Sequence, residues 1–464
     1  MAVVKPFSAL RYSPDKAGDL NKVMAPPYDV ISSEFQEELY RRSPYNVIRL
    51  ILGKTNPDDS PGHDRYSRAS ECLDKWRKEG VLARDPAPAI YYYTQGYTSK
   101  DGVAKTRRGF IALLKLEEFG KGSIHPHERT LSGPKADRLN LLKATEANLC
   151  CIFSLYPESK GVPPEKRITA MLEAAASSNP IIAVKGDDEV TNKLWMIDDA
   201  EVIEKTASAM RDKTLFIADG HHRYETALNY RDLRLKSTPK PTSEAGWQAG
   251  EAGWLAGTEP FNYVMMYFAS MDDEGLEIFP THRVVHGLNG FTAKAFLERL
   301  GSYFDMEEFA FAAMDEAAVR LRFMKKLGEG TKGSTRLGLF VRDRDAYYVL
   351  TLKGGKTMDR IFDPAMADVY KTLDVSVLHS LILGDVLGVS REAQERQENL
   401  LYVKDANEAL DAGRKDKNQL VFLMNPTKVE DVKRVSEAGL LMPQKSTYFY
   451  PKLLSGLVIN SFRD

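Results

Sequence analysis

The chain has 464 residues, 43% of them hydrophobic and 28% charged, the composition of a globular protein with a large buried core. At about 150 residues per domain, its length corresponds to two or three domains. The 64 basic and 65 acidic side chains cancel, which excludes the bulk positive charge of a dedicated nucleic-acid or anionic-membrane binder.

The N-terminus, MAVVKPFSALRYSPDK, lacks the apolar run of a signal peptide, and no uninterrupted apolar span of about 18 residues follows. A cytoplasmic location and no membrane partner are expected. In residues 1–120, YNVIRLIL and AIYYYTQGY are rich in β-branched and aromatic residues and are predicted as strands, whereas SRASECLDKWRKEGVL has helical spacing. Between them, VMAPPYDVI carries Pro26-Pro27, which forbids a helix and predicts a rigid loop presenting Tyr28 and Asp29. The cysteines Cys72, Cys150 and Cys151 form no disulfide framework and no CxxC zinc pattern.

Residues 121–235 alternate more cleanly. SIHPHERTL reads as a short strand entering a loop, and GPKADRLNLLKATEA as a helix with proline near its start. NLCCIFSLY is a strand, PPEKRITAMLEAAASS a helix, PIIAV and KLWMIDD strands, AEVIEKTASAMRDK a helix, TLFIADG a buried strand and HHRYETALNYRDLRLK a helix. Strand-then-helix alternation predicts α/β layering with mixed sheets and ligands at strand ends. Residues 236–259 are rich in Pro, Gly, Ser and Glu and contain the tandem EAGWQAG and EAGWLAG, read as a loop insertion.

Residues 260–464 form a C-terminal α/β region. FNYVMMYFASM is a strand, and GLEIFPTHRVVHGL carries His282, Arg283 and His286 on a strand. Helices follow near TAKAFLERLGSYF and MDEAAVRLRFMKKLG. RLGLFVRDRDAYYVLTLKGGK is a hairpin, and SVLHSLILGDVLG and VEDVKRVSEAG are helical. The last run, LLMPQKSTYFYPKLLSGLVI, reads as a strand folded back on the core; it offers Lys445, Ser446, Thr447 and Lys452 as anion ligands.

The segment FIADGHHRYETAL concentrates chemistry. Gly220 permits a tight turn between strand and helix, so backbone N–H groups and the positive end of the helix dipole converge on one point. Arg223 adds a bidentate fork, His221 and His222 add donors, and Asp219 is placed to hold a histidine tautomer or to coordinate Mg2+. The constellation suits a phosphate-bearing ligand. His125, His127 and Glu128 form an HxHE cluster able to hold a metal through alternate strand positions.

FIADGHHRYETAL resembles the second conserved box of the ParB/sulfiredoxin superfamily, and its Asp-Gly-His-His-Arg turn is most similar to that of archaeal free-serine kinases; IHPHERT resembles the first box. Over the whole chain, MAPPYDVI, HERT, ADGHHRYETAL, PTHRVV and MPQKSTYFYPKLLSGLV resemble the family called domain of unknown function 1015. The resemblance implies a ParB/sulfiredoxin-like core at 121–235 flanked by N-terminal and C-terminal α/β regions. It implies a nucleotide-dependent phosphotransferase, a small-molecule kinase acting on a hydroxyl-bearing metabolite, with ATP or ADP, or alternatively CTP, and Mg2+. Gly220, His221, His222 and Arg223 would bind phosphates, joined by Lys445 and Ser446. Glu128 would be the general base, grouped with Asp219 and His222 as catalytic, and Asp219 the metal ligand. Tyr28, Asp29, His127, Arg129, His282 and Arg283 would contact substrate. Two alternatives stand beside this reading: a nucleotide-binding regulatory protein without turnover, and a metal-dependent hydrolase built on the HxHE cluster. The expected partners are a nucleotide and a small molecule, with no nucleic acid; a homo-oligomer is left open.

Overall fold

A computed structural model describes residues 1–130, 132–158, 161–176, 179–237, 257–312, 315–330, 334–363 and 365–463. Both EAGW repeats lie outside the described residues. The chain forms two compact units, one of Met1–Pro126, Thr130–Leu276 and Pro451–Asp464, the other of His127–Arg129 and Glu277–Tyr450. The fold is mixed α/β, as expected, with a large mixed sheet and additional sheets.

In the first unit the strands run in the order Ile124–His125, Leu215–Asp219, Ile152–Tyr156, Tyr263–Ser270, Ala104–Lys115, Ile90–Thr98, Thr191–Ile197 and Ile182–Lys185, with Val4–Lys5 pairing to Ala104–Lys115. The sheet therefore draws on all three of the regions 1–120, 121–235 and 260–464. Tyr263–Ser270 is buried at every position. It runs antiparallel to Ala104–Lys115 and parallel to Ile152–Tyr156, which gives the sheet its mixed character. Leu215–Asp219 is buried on both faces up to Asp219, where the register against Ile152–Tyr156 shifts between Ile217 and Asp219. Such a bulge re-aims the side chain beside it. The following helix, His221–Ser237, lays Tyr224 and Ala227 into the core containing Ile217, Met266 and Phe268.

YNVIRLIL is not a strand. Ile48–Ile51 forms a helical turn, because the Asn46 side chain accepts from Ile48 N at 2.9 Å and its amide donates to the carbonyls of Lys22 (2.8 Å) and Met24 (3.0 Å). That side chain caps the turn before a ladder can form, and Ile48, Leu50 and Ile51 are buried against the surrounding chain. The Pro26-Pro27 loop leads into one 3-10 turn, Tyr28–Val30.

The second unit holds an antiparallel six-stranded sheet in the order Phe304–Ala310, Ala346–Leu352, Arg336–Val341, Asn418–Leu423, His282–His286 and Leu400–Val403. The expected hairpin is its Arg336–Val341 and Ala346–Leu352 pair. Helices Glu316–Gly328 and Ala406–Gly413 pack Phe323, Leu327, Ala409 and Leu410 with Phe340, Val421 and Leu423 of the sheet. SVLHSLILGDVLG is helical, but Val377–Val386 has π geometry. The terminal run divides: Tyr448–Tyr450 pairs with Glu277–Phe279 in the second unit, whereas Ser455, Ile459 and Asn460–Ser461 pair with Ala25, Leu10 and Ala147–Asn148 in the first.

Gly109 marks the tightest point of the first sheet. A Cβ there would lie 2.3 Å from the Phe268 carbonyl oxygen and 2.5 Å from the Tyr267 ring. Gly109→Ala is expected to destabilise the protein by about 1–3 kcal/mol through forced overpacking, read as a lower midpoint in chemical denaturation.

Candidate functional site

The first unit presents the Asp-Gly-His-His-Arg turn. Gly220 has φ +93°, a conformation that L side chains rarely adopt, and its carbonyl accepts from Tyr224 N at 3.0 Å as the helix begins. A Cβ on Gly220 would also lie 2.9 Å from Arg223 Nε. Arg223 therefore folds back across the glycine, and donates to Asp219 Oδ2 at 2.6 Å and to the Cys151 carbonyl. Lys452 Nζ donates to the other oxygen, Asp219 Oδ1, at 2.5 Å. The three side chains are only 12–18% exposed.

Burial alone would raise the Asp219 carboxyl, but Lys452 and Arg223, with His221 nearby, outweigh it and hold the group well below the ordinary carboxylate range. Two cations meet Asp219 directly beside the positive end of a helix, and Asp29 also acts on Arg223 through its charge. Lys452 is fixed in turn: its carbonyl accepts from Gln95 Nε2 at 2.9 Å, and that amide also reaches Asn192 Oδ1 at 3.0 Å. Both oxygens of Asp219 thus carry cationic donors, so a magnesium ion would have to displace one of them. Among the described residues, no group of three or more His, Cys, Asp or Glu side chains could hold a metal ion.

Arg223 also lines a small cavity of about 60 Å³ with Tyr28, Arg138, Cys150 and Thr226. The Arg138 guanidinium lies 3.9 Å from the centre of the Tyr28 ring. The cavity is well below the roughly 300–1,000 Å³ of small-ligand pockets, so it accommodates a single small group. Tyr28 lines the Arg223 cavity, and Asp29 is exposed. His221 is buried and His222 half-buried at the helix start.

Glu128 belongs to the second unit, where residues 127–129 pair with Met442, whose N–H donates to the His127 carbonyl at 2.7 Å. Glu128 Oε1 accepts from Ser446 N at 3.1 Å and from Thr447 N and Oγ1, both at 3.3 Å. His127, fully buried, lies 2.8 Å from Thr447 Oγ1 through Nε2. Sequence-expected His127, Glu128 and Ser446 therefore do meet. The Ser446 hydroxyl donates to the Pro443 carbonyl at 2.5 Å, and Lys445 adopts φ +56°. Of the four candidate anion ligands in the terminal run, Lys452 reaches Asp219, whereas Lys445 and Ser446 belong to the second unit.

The HxHE cluster does not assemble as a metal site. His125 lies in the first unit with its ring 5.7 Å from Phe216, whereas His127 and Glu128 bond Thr447 in the second. His282 Nδ1 accepts from Met424 N at 3.1 Å inside the second sheet. Arg283 is 1% exposed; it donates to the carbonyls of Thr281 and Lys445 and, at 3.3 Å, to His379 Nε2. Sequence reasoning did not select His379. The signal was faint: one histidine in an apolar helical run.

These features define a mixed α/β protein with a cationic turn at a strand end. Over residues 4–376 the chain matches the family described as Protein of unknown function (DUF1015), and it belongs to that family. No curated protein matches it. Among solved structures, a conserved hypothetical protein from Pyrococcus furiosus has TM-score 0.32 and 14% identity, covering 71% of this chain and 89% of that one. A free serine kinase in complex with AMP has TM-score 0.32 and 12% identity, covering 70% and 83%. SbnI with C-terminal truncation from Staphylococcus aureus has TM-score 0.32 and 10% identity, covering 75% and 86%. Among the described residues, no helix is long and apolar enough to cross a membrane.

Asp219→Asn leaves two buried cations without their counter-charge and is expected to cost about 3 kcal/mol or more. Because the folded-state pKa lies below the value of about 3.9 for free aspartate, the carboxylate's contribution is complete above that pH and is lost as pH falls through the folded value. Denaturation midpoints measured across acid pH are expected to fall steeply for the native chain and more shallowly for Asp219→Asn.

Proposed function

We propose that the protein is a nucleotide-dependent phosphotransferase acting on a small hydroxyl-bearing metabolite, with a ParB/sulfiredoxin-like core that binds the phosphates of ATP or ADP. One observation carries the reading: Arg223 and Lys452 both bond Asp219 at the N-terminus of the His221–Ser237 helix, in a nearly buried cationic cluster. A phosphate oxygen would accept from the helix N–H groups and meet both the guanidinium fork and the ammonium. The likeness of Asp219–Arg223 to the turn of free-serine kinases supports the same assignment.

Phosphoryl transfer asks a protein chiefly for positioning and charge stabilisation, so a cation pair and a helix end suffice for the phosphate side. Glu128 is the proposed base for the acceptor hydroxyl. Its Oε1 accepts the bonds from Ser446 and Thr447, and among the described residues Oε2 takes no hydrogen bond, leaving one oxygen for a proton. Bound magnesium would neutralise charge on the phosphates; the described side chains form no cage for it.

Calorimetric titration of the full chain with ADP is expected to give saturable binding, which Arg223→Ala and Lys452→Gln each weaken by roughly tenfold or more. Unchanged affinity in both variants would remove the phosphate assignment. Phosphorus NMR with ATP, magnesium and a pool of hydroxyl metabolites including serine then separates turnover from binding. A new phosphomonoester resonance, lost in Glu128→Gln with ADP affinity retained, is the expected result. Binding without any such resonance would make the protein a nucleotide-binding regulator instead.

A further inference from the structure

The second unit contains a pocket of about 500 Å³, within the roughly 300–1,000 Å³ that small-molecule ligands occupy. One wall is the π-helix Val377–Val386, which contributes His379, Ser380 and Gly384. π-helical turns are rare and concentrate at functional sites. Phe362, Met366, Tyr370 and Leu440 make the remaining surface largely apolar.

The polar groups are few and held in fixed roles. His379 Nδ1 lies 2.8 Å from Gln394 Oε1, and Gln394 Nε2 donates to the carbonyls of Val389 (2.9 Å) and His379 (3.2 Å), which orients the amide with its oxygen toward the ring. The imidazole therefore donates through Nδ1, and Nε2 accepts from Arg283 Nε. Burial, with Arg283 beside it, pushes His379 down to about 3, so the ring is a neutral wall at physiological pH. Arg283 stands behind that wall and donates to the carbonyls of Thr281, Gln444 and Lys445 and to this ring.

The charge lining the pocket is unbalanced. Arg391 pairs with Glu395 at 3.1 Å. Half-buried Arg129 also lines the pocket, and among the described residues it makes no ion pair or side-chain hydrogen bond. One guanidinium that is unpaired among the described residues, set over apolar walls, matches one negative charge on an apolar body. A dianionic phosphate would leave a surplus charge in a largely apolar space, which is costly; a carboxylate matches both the charge and the planar fork.

We propose that this pocket is a binding site for a small organic carboxylate with an apolar body, anchored by Arg129 and enclosed by the Val377–Val386 π-helix. The site is independent of the phosphate reading of the first unit, and its test uses no nucleotide.

The test is ligand-detected NMR on the full chain with phenylacetate and hexanoate, each against its neutral amide. Both acids are expected to bind roughly tenfold or more tightly than the amides. Arg129→Gln should abolish that preference, and Met366→Trp, which fills the pocket, should weaken acid and amide alike; thermal unfolding of each variant checks that the fold is kept. Acids that do not bind, amides that bind as well as acids, or an acid preference that survives Arg129→Gln in a folded protein would each overturn the proposal.

Discussion

The carboxylate of Asp219 holds two cations that the chain order keeps far apart. Arg223 follows it by one helical turn, and Lys452 lies 233 residues after Asp219. Isolated, a charge at this depth would be strongly unfavourable; paired on both oxygens, it becomes the fixed point of the strand end. The bulge before it, the left-handed Gly220 and the fold-back of Arg223 all serve to bring these charges together. The position of the terminal segment on the first unit follows, since Lys452 is also held through its carbonyl by Gln95.

The two units place charge in different ways. At the strand end, cations outnumber the anion in a polar cluster backed by a helix terminus. In the second unit, a buried arginine is stabilised by carbonyls and a neutral imidazole rather than by a hydrogen-bonded carboxylate. Desolvation, partly offset by Tyr402 and Glu128, shifts Arg283 down to about 10, which still leaves it charged at neutral pH. Its strong desolvation is offset by donors aimed at fixed acceptors, a rigid arrangement that suits a wall better than a moving part.

Much of the fold could be read from local pattern because the decisive segments are long or strongly periodic. Tyr263–Ser270 and Leu215–Asp219 are apolar runs buried on both faces, and Arg65–Lys78 has apolar residues at helical spacing. YNVIRLIL misled because a short apolar run has no period of its own, and the side chain of Asn46 decided its conformation. The Asp-Gly-His-His-Arg turn was legible, since glycine at a strand-helix junction has a direct geometric meaning. The choice of Lys452 among Lys445, Ser446 and Lys452 was not, because it depends on where a terminal segment docks after tertiary folding. His379 was hidden for the same reason: an apolar helical run gives no hint that its backbone adopts π geometry and turns an imidazole toward Arg283.

The terminal segment has a consequence for how the molecule is made. A ribosome finishes every strand of the first unit's large sheet by Ser270, then builds the whole of Glu277–Tyr450 before it reaches Lys452. Until then Asp219 has one cation instead of two, and Ala25, Leu10 and the Ala147–Asn148 strand lack their partners. Such long-range closure is slow and leaves partly assembled surface exposed during synthesis. The charge at the strand end therefore acts as an assembly mark: its second cation joins only once the chain has been translated past Lys452.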